Sequence, residues 1–306
     1  AHTAIYGDIL QINNCIPKNI KQTDLFTSVL KMFNLYVYEN PQEEKKLYIY
    51  PYPSFYNNTV VDWNSKIDRG QTISLKPMSE LTARLFNFLY DTDSDYWNDF
   101  YKKKYGKGFG DYLLDTQYEF TNDKSETKLI FSSSPLLKDN GGKHYTPMYK
   151  LSGTTMDKMN TKIRLMIAKK ITGVTNWKLT KDGGGTIIHQ FNSPANYYGY
   201  AGHLDNPSTP TFDLNWNYPQ EIFYALSNPY TENNLFNTYW LDYMYQINHK
   251  DSQLMTCYVN LSNHEIETID WSVKYYIDGA YWRLNKIIDF NPIQRNLTKV
   301  ELLKVV

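Results

Sequence analysis

Closely spaced carboxylates are the first residues of this sequence whose types and spacing could do chemistry. Asp91, Asp93 and Asp95 form one group, and Glu265 and Glu267 form another. Two carboxyl groups held about 5–10 Å apart can carry out glycoside hydrolysis, one as the acid and the other as the nucleophile or base. The aspartates could also hold a cation such as calcium. A solvated turn that leads into a helix cap is the simpler interpretation of the aspartate group.

The six histidines offer little for a metal site. None belongs to an H-E-x-x-H motif or to another paired spacing of zinc ligands. His203 and Asp205 form an H-x-D pattern, and on a strand both side chains would point to the same face. Because no further ligand types lie nearby in the sequence, we expect this pair to form hydrogen bonds within a loop.

Cysteine, glycine and serine patterns indicate no reaction class either. Cys15 and Cys257 are too few for a metal framework or a disulfide scaffold. We expect both thiols to be free and buried, and whether they approach each other stays open. The glycine-rich stretches 106–110 and 183–185 match no phosphate-binding loop, and no serine lies in G-x-S-x-G. We therefore predict a protein that is not an enzyme, with no catalytic, cofactor-binding or metal-binding residue and no cofactor.

The charge balance and the aromatic content further limit the classes of function that the chain can have. The 306 residues carry 32 Lys and Arg against 32 Asp and Glu, so the net charge is zero, which argues against sequence-independent nucleic-acid binding. The 28 Tyr, 14 Phe and 7 Trp favour sheets and polar contact surfaces. No run approaches the roughly 18 apolar residues that a membrane helix needs, so we expect no membrane span.

Apolar residues at helical spacing predict three helices that would position these groups. The first lies near 23–34, with Thr23 as its N-cap. The second lies near 95–105, directly after the aspartate group. The third lies near 232–248, with Thr231 as its N-cap, and it carries a wide apolar stripe.

Period-two alternation predicts strands over much of the remaining chain. The clearest are 35–38, 46–50, 71–76, 112–120, 128–132, 162–167, 253–259, 272–277, 281–289 and 298–304. The stretch 81–90 fits either a helix or a strand, and we favour a strand. The polar stretch 121–127 is predicted to be a loop. Asp278-Gly279 lies between two of the strands and is the strongest hairpin signal in the sequence.

These elements indicate an α+β fold that is mostly β, with a few packed helices. Ser132–Pro135, followed by the turn formers at 139–142, is the best linker candidate. We therefore predict two β-rich modules, 1–140 and 141–306. The first module would hold the first two helices, and the second module the third helix.

The third helix and the loop before it are the candidate subunit contacts. The loop 192–219 is long and rich in Gly and Pro, which is typical of loops that have a function or form an interface. On the helix, the side chains predicted to lie at a subunit interface are Leu235, Phe236, Tyr239, Trp240 and Tyr243. A helix buried in the core of the protomer would produce the same stripe. If the interface interpretation holds, alanine at Trp240 and Tyr243 should weaken assembly more than folding.

Several groups of residues carry a resemblance to a known family. They are Asn19–Leu25 with Met32–Tyr36, Val60–Trp63 with Lys66–Asp68, Tyr200–Pro207 with Pro210–Asn215, Asn233–Trp240, Tyr281–Pro292 and Thr298–Lys304. These stretches resemble motifs in tail proteins of phages that infect Bacteroidota. The similarity is spread over most of the chain.

The resemblance implies a non-enzymatic virion protein at the tail tip, in the baseplate hub or tail hub. Such hubs are built from tube-like β-barrel modules with helices alongside, and they form a ring around the tail channel, commonly a trimer. The implied partners are copies of the chain and other tail proteins, without specific nucleic-acid binding, and the implied location is the virion. No catalytic residue belongs to the motif set, so none is carried over.

Two other functions stay open. A receptor- or glycan-binding module at the tail tip predicts exposed aromatic platforms and measurable sugar binding. A cell-wall hydrolase requires two converging carboxylates or a metal cluster. Each function requires a different arrangement of side chains.

Overall fold

Strands outnumber helices in the folded chain. A computed structural model describes residues 17–39, 43–138, 142–157, 159–172, 178–180, 187–190, 197–226, 229–293 and 296–306. Strand accounts for 33% of the structure and helix for 19%, which confirms the predicted α+β fold that is mostly β. Within these residues, no helix combines the length and the hydropathy that crossing a lipid bilayer requires.

Short helices are distributed along the chain between the strands. The helices are α1 (Gln22–Met32), α2 (Tyr52–Phe55), α3 (Tyr96–Tyr105), α4 (Leu241–Asn248) and α5 (Asn263–Glu267), with a 3₁₀ turn at Met78–Glu80 and a π-helical turn at Phe236–Trp240. The strands of the first half are β1 (Leu35–Glu39), β2 (Leu47–Pro51), β3 (Val60–Asp62), β4 (Ser74–Pro77), β5 (Leu85–Leu89), β6 (Tyr112–Asp115), β7 (Lys124–Lys128), β8 (Leu137–Lys138), β9 (His144–Tyr145) and β10 (Lys150–Ser152). The remaining strands are β11 (Thr155–Asp157), β12 (Ile167–Thr172), β13 (Lys178–Thr180), β14 (Ile187–Gln190), β15 (Tyr197–Gly202), β16 (Gln253–Val259), β17 (Lys274–Ile277), β18 (Ala280–Ile288) and β19 (Thr298–Lys304).

The helix predicted near 95–105 is α3, and single residues set both of its ends. The side chain of Asp95 accepts a hydrogen bond from the backbone N–H of Asn98, which satisfies a free donor of the first turn. Gly106 follows the helix in the left-handed conformation, with φ 70°, and its N–H donates to the carbonyl of Lys102. Local sequence signals therefore fix this helix.

The other two predicted helices differ more from expectation. α1 begins one residue before the predicted 23–34 and ends two residues earlier, and Asn34, with φ 47°, follows it. Thr23 was the wrong cap, because it is the second residue of the helix. The third helix begins at the π-helical turn, and its cap is Asn234, whose Oδ1 accepts from the N–H of Asn237 at 2.9 Å. Thr231 was the wrong cap. Its hydroxyl group accepts a hydrogen bond from the N–H of Asn233 and donates one to the carbonyl of Thr211.

The chain forms two compact units whose segments are interleaved along the sequence. The first unit contains the described residues within 1–29, 88–112 and 128–237, and the second contains those within 30–87, 113–127 and 238–306. The predicted boundary at 140 lies outside the described residues, and the segments on both sides of it belong to the first unit. The serines at 132–134 are buried rather than part of an exposed linker. The hydroxyl and the carbonyl of Ser133 make long-range hydrogen bonds to Asn98 that composition alone does not reveal.

The second unit is organised around a six-stranded sheet with the order β3-β17-β18-β19-β16-β4. Neighbouring strands are antiparallel except β3 and β17, which are parallel. The sheet ends at β3 and β4, so within the described residues it is open and does not form the closed barrel that the resemblance implies. Asp278 and Gly279 form the predicted two-residue turn between β17 and β18, with φ 49° and 80°.

One face of this sheet forms the core of the second unit. Alternate side chains of its central strands are buried, among them Cys257, Trp282, Leu284, Val300 and Leu302. Cys257 is a free thiol, as expected, and burial raises its pKa to about 11. Cys15 lies outside the described residues.

The first unit is built from short strand pairs and a buried aromatic cluster. β12 and β15 pair antiparallel over their whole length. The ring of Phe88 lies 5.1 Å from that of Trp216 and 5.3 Å from that of Phe236, measured between centroids. Contacts of this kind contribute about 0.5–1.5 kcal/mol per aromatic pair beyond the area that they bury.

Two of the strand predictions were wrong. The strand predicted at 162–167 begins at Ile167, because the backbone N–H of Lys162 donates to the Asp93 carboxylate rather than to a neighbouring strand. The polar stretch 121–127, predicted as a loop, contributes most of β7, while 129–132 is not strand. β7 is largely exposed and pairs with β5, so backbone pairing rather than burial makes it a strand.

Candidate functional site

Two of the five predicted interface side chains are buried inside the first unit. Leu235 and Phe236 have 0% and 5% of their surface exposed. The Phe236 ring packs against Phe88 and lies 4.7 Å from the ring of Tyr112. For these two residues, the structure therefore agrees with the alternative interpretation of the apolar stripe, a helix buried in the core.

The other three predicted residues are partly exposed in the second unit. The indole N–H of Trp240 donates to the carbonyl of Lys31 at 3.1 Å, and its ring lies 5.8 Å from that of Tyr243. The carbonyl of Tyr239 accepts from the side-chain amide of Asn34 at 3.0 Å. These contacts join the π-helical turn to the end of α1 and the residues that follow it. A role of the three aromatic side chains in subunit contacts stays a prediction.

The predicted aspartate group contains a buried ion-pair network. One guanidinium nitrogen of Arg164 lies 2.9 Å from Asp93 and 2.8 Å from Asp95, and all three side chains are almost fully buried. The helix-cap role of Asp95 is confirmed, but the solvated turn was wrong for these two aspartates. Asp91 is partly exposed and pairs with Lys162 at 2.6 Å. Because Asp93 and Asp95 share one arginine in the interior, their role is structural.

One member of the second carboxylate pair, Glu265, is also held by local partners. Glu265 closes a capping box at the start of α5 by accepting from the backbone N–H of Ser262. Its carboxylate also pairs with Lys66 at 2.6 Å, and Lys66, followed by the Ser262 hydrogen bonds, lowers its pKa to about 2. Glu265 is therefore ionised at neutral pH, and a proton donor for glycoside hydrolysis is not available from it.

His203 and Asp205 form hydrogen bonds within the loop, as predicted. Nδ1 of His203 lies 2.7 Å from the side-chain oxygen of Asn215, and burial lowers the pKa of His203 to about 4. The Asp205 carboxylate accepts from the backbone N–H groups of Thr211 and Phe212. Among the described residues, no group of three or more His, Cys, Asp or Glu is arranged to hold a metal ion. The part of the loop at 192–196 lies outside the described residues.

The β1–β2 hairpin has two chemically different faces. Its register places Tyr36 opposite Tyr50 and Tyr38 opposite Tyr48, so one face carries only tyrosines. Since neighbouring positions of a strand point to opposite faces, the other face is aliphatic. Its side chains are Leu35, Val37, Leu47 and Ile49, with Glu39 and Pro51 at the ends.

Both faces of the hairpin are partly open to solvent: on the tyrosine face Tyr36 packs on α2, while Tyr38 and Tyr50 expose 40% and 39% of their surface. The ring of Tyr36 stacks on Phe55 at 4.7 Å, and the ring of Tyr38 lies 5.9 Å from it. On the opposite face, Leu47 and Ile49 expose 55% and 44% of their surface. A two-stranded hairpin with an uncovered apolar face is the kind of surface that a partner covers. We call this surface, Leu35, Val37, Leu47 and Ile49, the aliphatic face.

Two cavities of the second unit share a wall formed by Tyr52, Tyr56 and Arg283. The first, of about 280 Å³, is further lined by Asn57, Asn58, Asp242, Tyr245, Gln246 and Lys274. The second, of about 220 Å³, lies between the hairpin, the 3₁₀ turn and α4. We call the first of these the Arg283 cavity.

Strand alternation and a proline-started helical turn position the shared wall. Arg283 points away from the core face that holds Trp282 and Leu284, because side chains of β18 alternate. Tyr52 begins α2, with Pro51 as the N-cap and Pro53 in the first turn, where a proline favours a helix start. The Nη1 of Arg283 donates to the Tyr52 hydroxyl at 2.6 Å, and its guanidinium lies 3.9 Å from the centroid of the Tyr56 ring.

The charge of Arg283 has no carboxylate partner among the described residues. Arg69, Arg84 and Arg164 each form an ion pair within 4 Å, whereas Arg283 forms none there. Its Nε is buried and has no hydrogen-bond partner within the same residues. Lys274, in the Arg283 cavity, donates to the side-chain oxygen of Asn58 and also forms no ion pair in the described part of the chain. Two cations therefore line one cavity without a counter-charge in contact.

The tyrosines around Arg283 remain neutral at physiological pH. Burial raises the pKa of Tyr52 to about 12, although the positive charge of Arg283 opposes this. Burial likewise raises the pKa of Tyr36, Tyr56 and Tyr243. Neutral phenols donate and accept hydrogen bonds but are poor nucleophiles, so the cavity is suited to binding rather than to covalent catalysis.

Sequence reasoning missed both arginine sites. Arg164 is separated from Asp93 by 71 positions, and Arg283 from Tyr52 by 231 positions. The alternation of β18 predicts that Arg283 leaves the core face, but nothing local indicates that tyrosines cover it. The tyrosine repeat at 48, 50 and 52 was the available signal for an aromatic surface.

A scan of the chain against protein-family models gave no match, and searches of curated proteins and of solved structures gave none either.

Proposed function

We propose that this chain is a non-enzymatic structural subunit of a phage tail tip, where copies of it form a ring around the tail channel. A trimer is the favoured ring, with other tail proteins as further partners and the virion as the location. The sequence stretches that resemble phage tail proteins supply the identity of the assembly. The observation that carries the assembly role is the aliphatic face of the β1–β2 hairpin.

The hairpin is suited to an interface for two physical reasons. An isolated two-stranded sheet is marginally stable in water, so an uncovered apolar face on it gains stability from a partner. β1 and β2 form a sheet of their own, and free strand edges are covered by assembly in closed rings. Tyrosines beneath the face support it, and aromatic residues are enriched at interfaces.

Light scattering with negative-stain imaging of the purified chain tests the ring. We expect a closed ring with an open centre for the wild-type chain. Ile49→Lys places a charge on the aliphatic face and should convert the ring to protomers. Ile293→Lys is the matched control, because Ile293 is 92% exposed and lies outside the hairpin.

A ring that survives Ile49→Lys would remove the aliphatic face from the interface. A chain that stays monomeric at every concentration, alone and with neighbouring tail proteins, would overturn the ring.

A receptor- or glycan-binding module at the tail tip is the second candidate, and one observation favours it. The Arg283 cavity combines neutral tyrosines, side-chain amides and two cations without a contacting counter-charge. Such a set recognises a polar ligand rather than another apolar surface. The two roles are compatible, since the aliphatic face and the Arg283 cavity use different residues.

A further inference from the structure

We propose that the Arg283 cavity binds a monosaccharide unit that carries a carboxylate, such as a uronic or sialic acid at the end of a surface glycan. This inference rests on the binding role proposed above as the second candidate and does not require the ring. Arg283 and Lys274 would hold the carboxylate, and the amides and tyrosines would hold the sugar ring.

Charge is the first argument for an anionic ligand. Arg283 and Lys274 line the same cavity, and within the described residues neither lies within 4 Å of a carboxylate. Asp242 also lines the cavity but forms no ion pair with either cation. Beside Asp242, a carboxylate with one negative charge is repelled less than a phosphate monoester with about 1.5 to 2.

The geometry of Arg283 is the second argument. A guanidinium has five N–H donors in a fixed fork that matches a carboxylate, and Arg283 uses one of them on Tyr52 at 2.6 Å. The Tyr56 ring, 3.9 Å from the guanidinium, makes a cation–π contact that restricts its motion. A preorganised arginine loses less side-chain entropy when it binds an anion.

The remaining lining is suited to sugar hydroxyls. Asn57 and Asn58 are exposed and supply amide groups, and Asp242 can accept from a hydroxyl. The amide of Gln246, by contrast, is buried and bonds the backbone of Lys304 and Val306. Tyr245, which is largely exposed, provides an aromatic face beside the cavity for the apolar side of a sugar ring. A volume of about 280 Å³ lies just below the roughly 300–1,000 Å³ of pockets for drug-sized ligands, which suits one ring.

Calorimetric titration of the full chain with small sugars tests the inference. The probes are methyl glucuronide and N-acetylneuraminic acid as the two carboxylate sources, methyl glucoside as the neutral ring, glucose 6-phosphate as the phosphate, and acetate as the carboxylate without a ring. We expect at least one of the two acidic sugars to bind about tenfold or more tightly than the neutral glucoside. The two acidic sugars distinguish a uronic from a sialic ligand.

Variants then assign the binding to the cavity. Arg283→Lys keeps the charge but loses the fork, and we expect it to weaken acidic-sugar binding about tenfold. Arg69→Lys is the matched control, because Arg69 lies outside the cavity and pairs with Asp278. If Arg283→Lys does not fold, Lys274→Gln and Tyr245→Ala replace it, and each should weaken binding severalfold.

Several results would overturn the inference. In the titrations these are the absence of any sugar binding, and equal affinity for methyl glucoside and both acidic sugars. Binding of acetate or glucose 6-phosphate as tightly as the better acidic sugar would also overturn it. In the variants, it is overturned by sugar binding that the cavity substitutions do not change. A ring without sugar binding would reject the inference and leave the structural role. Sugar binding by a monomeric chain would reject the ring and keep the inference.

Discussion

The guanidinium of Arg164 lies 2.8 Å from the carboxylate of Asp95, with 3% and 0% of the two side chains exposed. The same guanidinium nitrogen lies 2.9 Å from Asp93, and Nη1 donates to the carbonyl of Ser133 at 2.5 Å. Asp95 also caps α3, so one carboxylate links the start of a helix to a distant segment. At Asp93 and Asp95 the sequence alone indicates a solvated turn, whereas in the structure these residues belong to a buried ion-pair network of the first unit.

Arg164→Met should strongly destabilise the protein. Removing the arginine leaves Asp93 and Asp95 buried without a counter-charge, which costs about 3–5 kcal/mol in comparable buried pairs. The free energy of unfolding in urea measures this cost. Arg69→Met, which removes the largely exposed pair with Asp278, should change it little. A similar loss in both variants would contradict the assignment of the Arg164 network as the structural one.

Asp213→Asn should flatten part of the pH dependence of stability. Burial raises the pKa of Asp213 from 3.8 to about 6, so the folded state binds more protons than the unfolded state between about pH 4 and pH 6. The free energy of unfolding therefore falls as the pH rises through this window, by about 2–3 kcal/mol for a shift of this size. The variant should gain stability relative to the wild type from pH 4 to pH 6. A difference that stays constant over the window would refute this.

His203→Gln should act in the opposite direction. Burial lowers the pKa of His203 from 6.5 to about 4, so between these values the unfolded state binds more protons. Stability that depends on neutral His203 is lost as the pH falls from about 6.5 to 4. Thermal unfolding across this range should show the variant gaining on the wild type as the pH falls. The gain should be absent above pH 7, where the imidazole is neutral in both states.

Phe236→Ala should destabilise the protomer itself. Phe236 is buried against Phe88 and Tyr112, and Phe→Ala changes in cores cost about 3–5 kcal/mol. Urea unfolding at a concentration where the chain is dissociated measures the protomer alone. Tyr245→Ala, at a largely exposed position, serves as the control and should have a small effect. If Phe236→Ala impairs only assembly, the residue lies at an interface as first predicted.

Local signals in the sequence predicted the elements that depend on neighbouring residues. Asp95 and Gly106 bound α3, and Asp278-Gly279 makes the turn of the β17–β18 hairpin. Each of these outcomes depends on hydrogen bonds or backbone angles within a few residues. For the same reason the alternation of β16 and β19 was sufficient to predict both strands with their observed bounds.

The candidate sites depend on contacts that no local pattern contains. Arg283 contacts Tyr52 across 231 positions, and Ser133 bonds Asn98 across 35. Composition indicated a linker at Ser132–Pro135, but the three serines are buried, and Ser133 bonds the distant side chains of Asn98 and Arg164. The wide stripe at 235–247 fitted an interface and a core equally well, and Leu235 and Phe236 are core.

The interleaving of the two units has a consequence for biosynthesis. The chain passes between the units at 29/30, 87/88, 112/113, 127/128 and 237/238. The first unit is therefore incomplete on the ribosome until residue 237 has emerged. The second unit must wait longer, because β19, the most C-terminal of the described strands, lies in the middle of its six-stranded sheet. Neither core can close before these late segments have emerged, so the apolar strands made earlier stay uncovered during much of translation.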